Sequence, residues 1–545
     1  MLGLGVRSQS AEPPSSAASL RPASALGDLF LPLPYLLGCG GDPRLGIDPA
    51  SGVNQYGCRP VPCPGTLSFC SSTATSISEQ AYDRAGAARQ SLMRSAIAVG
   101  LDEAFEARVE AMREELKACL GLSPAQVDVI FSPSGTDSQL QALWLARALL
   151  GPQLTTVVVA ADQTGSGTAD TARGHHFSAV TATGIPVRKG EPVAGLAHSL
   201  SSVALPLLDP TGGFRPQVET DSLVLAAIEK SVANGAGVLL QIMDCSKLGW
   251  RAPSDQCLDE IAMRWPDRVQ IVVDACQMRL GRPRLRKYLD RGHIVIVTGS
   301  KFFTGPAFSG ALLVPAAASK ALHAVTEFAP GLCDYSSRSD WPNNWPGLRS
   351  RFPERANLGQ WLRWEAALEE IRAYYDVPDE FRLTALTTFG QGVQRIIAAS
   401  PSLRLLPPQQ RPAAGCDDDE ELAQPTIFPF VIERAGRGLS LEDCSRIYRA
   451  LSCDARHAAS ANEDGRDGGI AAKVCLVGQP VALGDRARHP AAALRICAGA
   501  RLVRQAWMSN QDAARANLER ELESVAAIVA KIEWLLAQGV ASPAR

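Results

Sequence analysis

Short and almost continuous apolar runs punctuate the chain between residues 127 and 314, with longer mixed segments between them. Each run is four to six residues long and rich in branched side chains, which is typical of strands buried on both faces of a mainly parallel sheet. The runs lie at residues 127–131, 155–160, 238–243, 269–273, 294–297 and 310–314. Strands alternating with helical patterns predict an α/β layer fold.

Helical patterns flank this region. Ser78 resembles an N-cap, a second helix is expected near residues 102–120, and a long one over 360–375. Residues 401–422 and 455–470 are polar, acidic or rich in proline and glycine, so we expect loops there. The later elements are predicted strands at 426–432, 474–477 and 493–496 and a closing helix at 513–538. These elements indicate a smaller α+β domain.

We therefore expect three parts in this chain of 545 residues. They are an N-terminal tail and entry segment (1–66), a large domain (67–375) whose mainly parallel sheet is flanked by helices, and a smaller C-terminal α+β domain (376–545). Residues 1–27 are rich in Ser, Ala and Pro, which favours a disordered tail. An organelle transit peptide is the alternative for that tail.

The composition argues against several classes of protein. Lys and Arg number 54 against 56 Asp and Glu, so no net charge favours binding to nucleic acid or to an anionic membrane. The longest apolar runs, such as 29–37, are too short and too interrupted by proline to span a bilayer. Fourteen cysteines occur without a CxxC pair, which argues against a zinc ribbon and a disulfide scaffold. We expect reduced thiols, a cytoplasmic location and no metal site.

Two charged residues follow neighbouring predicted strands. Asp274 ends the run at 269–273, and Lys301 comes 27 residues later, among small hydroxyl residues just after the run at 294–297. A lysine in this position suits a Schiff base with an aldehyde cofactor, and the acid suits a partner for that cofactor's protonated ring nitrogen. The two residues therefore point to pyridoxal 5'-phosphate (PLP) as the cofactor.

A turn between a strand and a helix supplies a candidate phosphate site at Ser134, Gly135 and Thr136. Backbone N–H groups at a helix start favour an anion, and glycine lets the backbone approach it closely. Turns of this composition are common, so the motif alone is a weak signal. Further candidate hydrogen-bonding partners of the cofactor are Thr298 and Ser300 beside the lysine, and Gln277 after the acid.

Two residues of the C-terminal part have their own chemical interest. Arg495 lies in a predicted strand, and a bidentate guanidinium is a natural clamp for a substrate carboxylate. An exposed strand arginine is the alternative interpretation. Cys475 lies 20 residues earlier between Val474 and Leu476, so we interpret it as a buried structural cysteine and not as a mobile nucleophile.

Together these motifs resemble the PLP-dependent enzymes of fold type I, and most closely the class V aminotransferase and cysteine desulfurase group. The similar segments are a substrate loop (67–75), a phosphate turn (134–137), a strand-end acid (273–277), a lysine motif (298–306) and a strand carrying Arg495 (494–499). The resemblance covers about residues 67 to 505 in the same order. It implies that Ser72 or Thr73 lines the substrate pocket and that a homodimer completes the active site.

The chain departs from this group at three places. Ser300 stands where the group usually has a histidine before the lysine. Residues 162–167 contain no aromatic side chain to stack on the cofactor, and neither His175 nor His176 is assigned to that role. Asp244 stands where the group has asparagine. The resemblance therefore leaves the subfamily open.

The resemblance implies an enzyme that acts on an α-amino acid, with Arg495 holding the carboxylate and Lys301 moving the Cα proton as a general base. Transamination is the first hypothesis because it needs nothing beyond these residues. A C–S lyase or cysteine desulfurase is the alternative enzyme. A PLP-fold protein that binds without catalysis is the alternative of another class, although residues 1–66 hold no basic helix-turn-helix pattern.

Overall fold

The computed structural model describes residues 23–70, 74–123, 126–323, 325, 327–409, 420–456, 466–484 and 490–540. The strands are β1 (Leu67–Phe69), β2 (Val127–Ser132), β3 (Leu154–Val159), β4 (Leu200–Leu205), β5 (Gly237–Met243), β6 (Val269–Asp274), β7 (Ile294–Thr298), β8 (Gly310–Pro315), β9 (Leu403–Leu405), β10 (Ile427–Arg434), β11 (Arg437–Gly438), β12 (Cys475–Ala482) and β13 (Ala492–Cys497).

The helices are α1 (Leu33–Leu37), α2 (Glu79–Val99), α3 (Leu101–Cys119), α4 (Gly135–Leu150), α5 (Thr168–Thr171), α6 (Gln217–Ala233), α7 (Asp255–Arg264), α8 (Arg282–Asp290), α9 (Ala316–Leu322), α10 (Pro346–Arg349), α11 (Leu358–Tyr375), α12 (Asp379–Ala398), α13 (Glu420–Ala423), α14 (Leu441–Leu451), α15 (Arg466–Ala471), α16 (Ala500–Ala506) and α17 (Gln511–Ala537). No helix in the described part of the chain combines the length and the apolar character that a membrane crossing requires.

A seven-stranded sheet forms the larger layer, in the order β2-β8-β7-β6-β5-β3-β4. Strand β8 is antiparallel to both of its neighbours, and the remaining pairs are parallel. Strands β2, β6 and β7 therefore point in the same direction. Because they share this direction, their carboxyl ends lie along one edge of the sheet, where α/β proteins usually bind ligands.

Alternate residues of these strands enter two separate cores, as the pleat of a strand dictates. In β6, Ile271 and Val273 pack into a core shared with α11, whereas Val272 points to the opposite face, where Trp144 of α4 lies. Both faces of the sheet are thus covered. This arrangement explains the continuous apolar runs in the sequence, and the predicted α/β fold with a mainly parallel sheet is confirmed.

A smaller mixed sheet has the order β1-β12-β13-β10-β11, and β9 also pairs with β10. Its strand β1 comes from far upstream and pairs in parallel with β12, with Leu67 opposite Cys475. The division of the chain at residues 66 and 375 stays a prediction. The pairing nevertheless attaches residues 67–69 to the smaller sheet, although the sequence pattern assigns them to the large domain.

Several local expectations are confirmed. Ser78 caps α2, because its side chain accepts a hydrogen bond from the backbone N–H of Ala81. The six predicted strands of the large sheet coincide with β2, β3 and β5–β8 to within one or two residues. The predicted helix at 360–375 is α11, and its buried residues occupy nearly its whole surface.

Two predicted loops need correction, and several short or edge strands were not predicted. The segment 401–422 contains the strand β9, which completes one side of β10, and the short helix α13. The segment 455–470 runs into α15, which starts at Arg466. Strand β4 was not predicted because it lies at the sheet edge, where its residues are exposed or half-buried and carry no continuous apolar signal.

Candidate active site

The three predicted motifs meet at the carboxyl edge of the large sheet. Helix α4 begins immediately after β2, Asp274 ends β6, and Lys301 lies in the turn that follows β7. Strands β6 and β7 are direct neighbours, with Asp274 opposite Ile296. The hydroxyl of Thr298, at the end of β7, donates a hydrogen bond to the carbonyl oxygen of Cys276 at 2.7 Å. The fold therefore places the acid and the lysine at adjacent strand ends.

The turn before α4 is closely packed. Ser134 is the N-cap of α4, and its hydroxyl oxygen accepts hydrogen bonds from the backbone N–H groups of Thr136 and Asp137. A Cβ added to Gly135 would stand 2.5 Å from the sulfur of Cys276. A Cβ at Gly310 would stand 2.5 Å from the backbone carbon of Ser134. Two glycines are thus required for this turn to lie against β8 and against the end of β6.

Asp137, in the first turn of α4, is an ionisable group that the sequence analysis did not single out. Its carboxylate accepts a hydrogen bond from the hydroxyl of Ser134 at 2.5 Å, and only 2% of the residue is exposed. Burial raises the pKa of Asp137 to about 7, partly offset by the Ser134 hydrogen bond. Near neutral pH the residue is therefore divided between a neutral and a charged form, and the neutral form is compatible with an anion at the start of α4.

Asp274 fixes the turn that follows it. One of its carboxylate oxygens accepts a hydrogen bond from the backbone N–H of Cys276 at 3.1 Å. Burial raises the pKa of the Cys276 thiol well above its usual range, Asp274 raises it further, and the charge of Lys301 lowers it. The thiol is consequently neutral and serves as packing beneath Gly135, between the acid and the lysine.

Lys301 projects from a rigid turn. The turn is closed by a hydrogen bond from the backbone N–H of Gly299 to the carbonyl of Ser309 and by another from Gly305 to the carbonyl of Gly299, each 3.0 Å long. A Cβ added to Gly299 would stand 2.5 Å from the Cβ of Ala367, so the turn lies directly on α11. Within the described residues, the half-buried Lys301 side chain makes no hydrogen bond or ion pair.

The other predicted cofactor contacts are the buried residues Ser300, Gln277 and Thr298. Ser300 and Gln277 are 5% exposed and lie beside the lysine and the acid, respectively. The Thr298 hydroxyl already uses its only hydrogen in the bond to Cys276, so this geometry does not favour it as a phosphate donor. The roles of all three residues remain predictions.

The segment after β3 contributes hydroxyl groups that the sequence analysis did not identify. A Cβ at Gly165 would stand 3.5 Å from the hydroxyl oxygen of Thr136 and 3.7 Å from that of Thr168. The Thr168 hydroxyl is buried and has no hydrogen-bond partner in the described part of the chain. His176 stacks on Tyr335, with ring centroids 5.7 Å apart, and its Nδ1 lies 2.6 Å from the hydroxyl of that residue. In the sequence, the Thr and Ser residues between 164 and 168 are the pattern that could have indicated this second group of hydroxyls.

Asp244, at the position where the related group has asparagine, has charged and polar side chains around it. Its carboxylate lies 3.0 Å from the hydroxyl of Tyr288, 3.4 Å from Nε of Arg284 and 3.5 Å from Nε of Arg251. The residue is 1% exposed and part of an ion-pair cluster. The aspartate that replaces asparagine at this position is therefore paired with two arginines.

Arg495 lies in the central part of the smaller sheet and contacts the segment that follows β5. It is 2% exposed, and its guanidinium donates to the carbonyl oxygens of Gln479 at 2.9 Å and Lys247 at 3.4 Å. Its Nε is buried without a partner among the described residues, and burial lowers the pKa of the group. A Cβ at Gly478 would stand 2.8 Å from that Nε. Arg495 is thus enclosed, which rules out an exposed strand arginine, and its role as a carboxylate clamp stays a prediction.

Two predicted substrate contacts, Ser72 and Thr73, lie outside the described residues. Arg279, five residues after Asp274, was missed. It is 2% exposed, and both its Nε and Nη2 are buried without partners in the described part of the chain. A single arginine has no recognisable pattern, so only its short distance in sequence from the strand-end acid could have suggested it.

These residues fit a phosphorylated pyridine aldehyde. The cradle at Gly135 would be filled by any Cβ, the Thr168 hydroxyl lacks a partner, and Lys301 is unpaired among the described side chains. An acid at the neighbouring strand end completes the set of groups that such a cofactor uses. No group of three His, Cys, Asp or Glu side chains suited to a metal ion occurs in the part that is described.

No protein-family model and no curated protein sequence matches the chain. The chain is similar to the solved structures of a NifS-like protein (14% identity, covering 84% of this chain and 98% of that chain, TM-score 0.47) and of Oryza sativa TDC with PLP and tryptamine (13%, 87% and 84%, 0.46). It is also similar to the cystine C–S lyase C-DES in complex with its product cysteine persulfide (12%, 84% and 98%, 0.45). The identities to these three structures are only 12–14%, so the reaction of this chain has to follow from its own side chains.

Proposed function

We propose that this chain is a PLP-dependent enzyme that acts on an α-amino acid. The observation that carries the proposal is the meeting of Asp274, Lys301 and the glycine-containing start of α4 at one sheet edge, with the Cys276 thiol packed among them. Each of the three groups is common in proteins when taken alone. Their convergence on one edge from three separate parts of the chain is not.

The residues would divide the binding of the cofactor between them. The backbone N–H groups at the start of α4 and the hydroxyl of Thr136 would hold the phosphate, and Asp274 would pair with the ring nitrogen. Lys301 would bind the aldehyde carbon covalently through Nζ. When bound, PLP supplies an electron sink that stabilises negative charge at the substrate's Cα.

The substrate would be oriented by the smaller sheet. Arg495 would form two hydrogen bonds with the α-carboxylate, and its buried position would strengthen them because little water competes there. When it is not bound to the cofactor, Lys301 Nζ would act as the general base that accepts the proton from the substrate's Cα. Ser72 or Thr73 is the expected lining of the same pocket.

Transamination is the reaction that we favour, since it needs only Lys301, the cofactor and an amino acceptor. A desulfurase would also need a reactive thiolate. Cys475 lies in β12 opposite Leu67, is 1% exposed, and has a pKa raised to about 11 mainly by burial. It is therefore a poor nucleophile at neutral pH, in agreement with its interpretation as a structural cysteine. A homodimer and a cytoplasmic location belong to the same proposal.

Absorbance spectra of the purified protein, titrated with each of the common amino acids, test this function. A reactive amino acid should shift the visible absorbance band and release a 2-oxo acid. Lys301→Ala should abolish both effects, and Lys287→Ala, which removes a partly exposed lysine on α8, should leave both unchanged. Release of sulfide or of an amine in place of the oxo acid would identify a lyase or a decarboxylase. Absence of any spectral response would favour a binding protein.

A further inference from the structure

Arg279 stands out among the buried arginines of the chain. Its guanidinium donates one hydrogen bond, from Nη1 to the carbonyl oxygen of Thr426 at 3.1 Å, and lies 5.3 Å from the centre of the Phe302 ring. Its Nε and Nη2 have no partner, and within the described residues it is the arginine that leaves two buried nitrogens unpaired. A buried cation with unused donors is costly unless an anion binds there.

Other buried arginines in the described part of the chain do not leave two buried nitrogens without hydrogen-bond partners. Arg363 donates to the carbonyl oxygens of four residues, and Arg284 lies between Asp244, Asp255 and the hydroxyl of Tyr288. Arg279 and Arg495 have no carboxylate partner among the described residues. Arg363 and Arg284 thus use all of their guanidinium nitrogens, whereas Arg279 leaves two buried nitrogens without a partner among the described residues.

Arg279 is also close to the proposed site. It lies in the turn after β6, and the ring that it covers belongs to Phe302, the residue next to Lys301. Arg495 stands opposite Pro429 in the β10–β13 pair, three residues after Thr426, whose carbonyl oxygen accepts the hydrogen bond from Arg279. Two buried arginines that keep unused donors in the described part of the chain, connected through strand β10, are suited to a ligand with two negative groups.

There is room for such a ligand beside Arg279. A cavity of about 770 Å³ lies between the turns after β5 and β6 and the start of strand β10. Arg279, Cys245 and Gly249 line it from the side of the large sheet, and the segment from Thr426 to Pro429 lines it from the side of the smaller sheet. Its volume is in the range of sites that hold small molecules. Arg279 is the only arginine, lysine or carboxylate on its described lining.

We propose that Arg279 binds a second carboxylate of the substrate, so that the enzyme acts on a dicarboxylic amino acid. Arg495 holds the α-carboxylate and Arg279 the distal one. This inference rests on the proposed function, because it assumes that the substrate lies between Lys301 and the smaller sheet. The alternative is that Arg279 only braces Phe302 and Thr426, in which case it would not distinguish one acid from another.

Equilibrium binding to the protein purified with its cofactor separates these two roles. Glutarate and butyrate serve as probes, since neither has an amino group and neither can react. We expect glutarate to bind about 10- to 100-fold more tightly than butyrate, the range of a hydrogen-bonded charge pair. Arg279→Gln should remove this preference and leave butyrate binding unchanged. Arg282→Gln is the matched control, since Arg282 donates its hydrogen bonds to the carbonyl oxygen of Cys119 in the described part of the chain. This variant should keep the preference for glutarate.

Equal binding of the two acids by the wild-type protein would overturn the inference, and so would an Arg279→Gln variant that keeps the preference for glutarate. If Arg279→Gln does not fold, Arg279→Lys replaces it and should retain a reduced preference, because it keeps the charge but loses the planar fork. A failure of the proposed function would appear differently, as the absence of any cofactor bound to Lys301. A comparison of kcat/KM for glutamate with kcat/KM for glutamine then tests the same preference during turnover.

Discussion

Gly135 lies directly above the thiol of Cys276: a Cβ built on the glycine would stand 2.5 Å from the sulfur. This contact joins two motifs that are 141 residues apart in the sequence, the helix start proposed to hold a phosphate and the strand end that carries Asp274. Because the thiol is buried and cannot move into solvent, the distance between the two motifs is set by the absence of a side chain at position 135.

The first prediction concerns this contact. Gly135→Ala should force the turn away from β6, lower the free energy of unfolding by about 1–3 kcal/mol and weaken cofactor binding. Cys276→Ala removes the sulfur, so the double variant should recover most of both losses. Denaturant unfolding and cofactor dissociation measure the two effects. Additive losses in the double variant would show that the contact does not set the geometry.

The second prediction concerns Asp137, whose pKa of about 7 lies well above the value of an unfolded carboxyl, about 3.9. The folded state therefore holds the proton more tightly than the unfolded state, and protonation stabilises the fold. This stabilisation is fully present below about pH 4 and is lost as the pH rises through about 7. Relative to Asp137→Asn, the wild-type protein should lose at most roughly 4 kcal/mol over this interval, since each pKa unit corresponds to about 1.4 kcal/mol.

Unfolding of both proteins in urea at several pH values between 4 and 8 measures this difference. The Asn variant keeps an acceptor for the Ser134 hydroxyl, so the cap of α4 should survive the change. Its pH profile should be flatter than that of the wild type, with the curves separating towards pH 8. Parallel profiles would mean that Asp137 is ionised throughout and that the start of α4 is already occupied by a negative charge.

The third prediction uses a neighbour of Arg495. Gly478 faces it across the β12–β13 pair, and a Cβ at Gly478 would stand 2.8 Å from Nε and 3.0 Å from Cζ of the arginine. Gly478→Ala should displace the guanidinium and raise KM about tenfold or more, while the cofactor content stays the same. Gly347→Ala, whose added methyl group meets no atom within 4 Å, is the control. An unchanged KM would separate Arg495 from substrate binding.

The sequence predicted the large sheet well because most of its strands are buried on both faces. A short continuous run of branched apolar residues is typical of such a strand, and β5 is buried at each of its seven residues. The strand-end positions of Asp274 and Lys301 followed from the same runs. Strand β4 lies at an edge with partly exposed residues, and β1 has three residues whose partner lies about 400 positions away. Neither the edge position of β4 nor the distant partner of β1 can be deduced from a local sequence pattern.

The site could be predicted only in part for a similar reason. Motifs at the ends of predicted strands identify residues that a parallel sheet must bring together. The enclosure of Arg495, the unpaired nitrogens of Arg279 and the burial of Asp137 depend on elements that pack from elsewhere in the chain. The bond from Thr298 to Cys276 likewise depends on the register of two strand ends. These properties arise from tertiary contacts, which composition and spacing do not record.

The fourth prediction concerns Asp274. Asp274→Asn retains an oxygen that can accept the hydrogen bond from the N–H of Cys276, so the turn should stay folded. The neutral amide cannot keep the cofactor's ring nitrogen protonated, so the electron sink weakens. We expect kcat to fall by about 100-fold or more, with part of the cofactor still bound. Near-normal turnover by a stable, cofactor-containing variant would contradict the role of this acid.

Lys301 is proposed to bind the cofactor covalently, and the other proposed roles depend on that bond. The most direct measurement is to treat the purified, cofactor-containing protein with borohydride, digest it and locate the modified peptide by mass spectrometry. We predict one modified lysine, Lys301, and no modification after Lys301→Ala. Modification of Lys247, whose Nζ donates to the carbonyl of Thr164 at 2.5 Å, or of any other lysine in place of Lys301, would contradict this assignment.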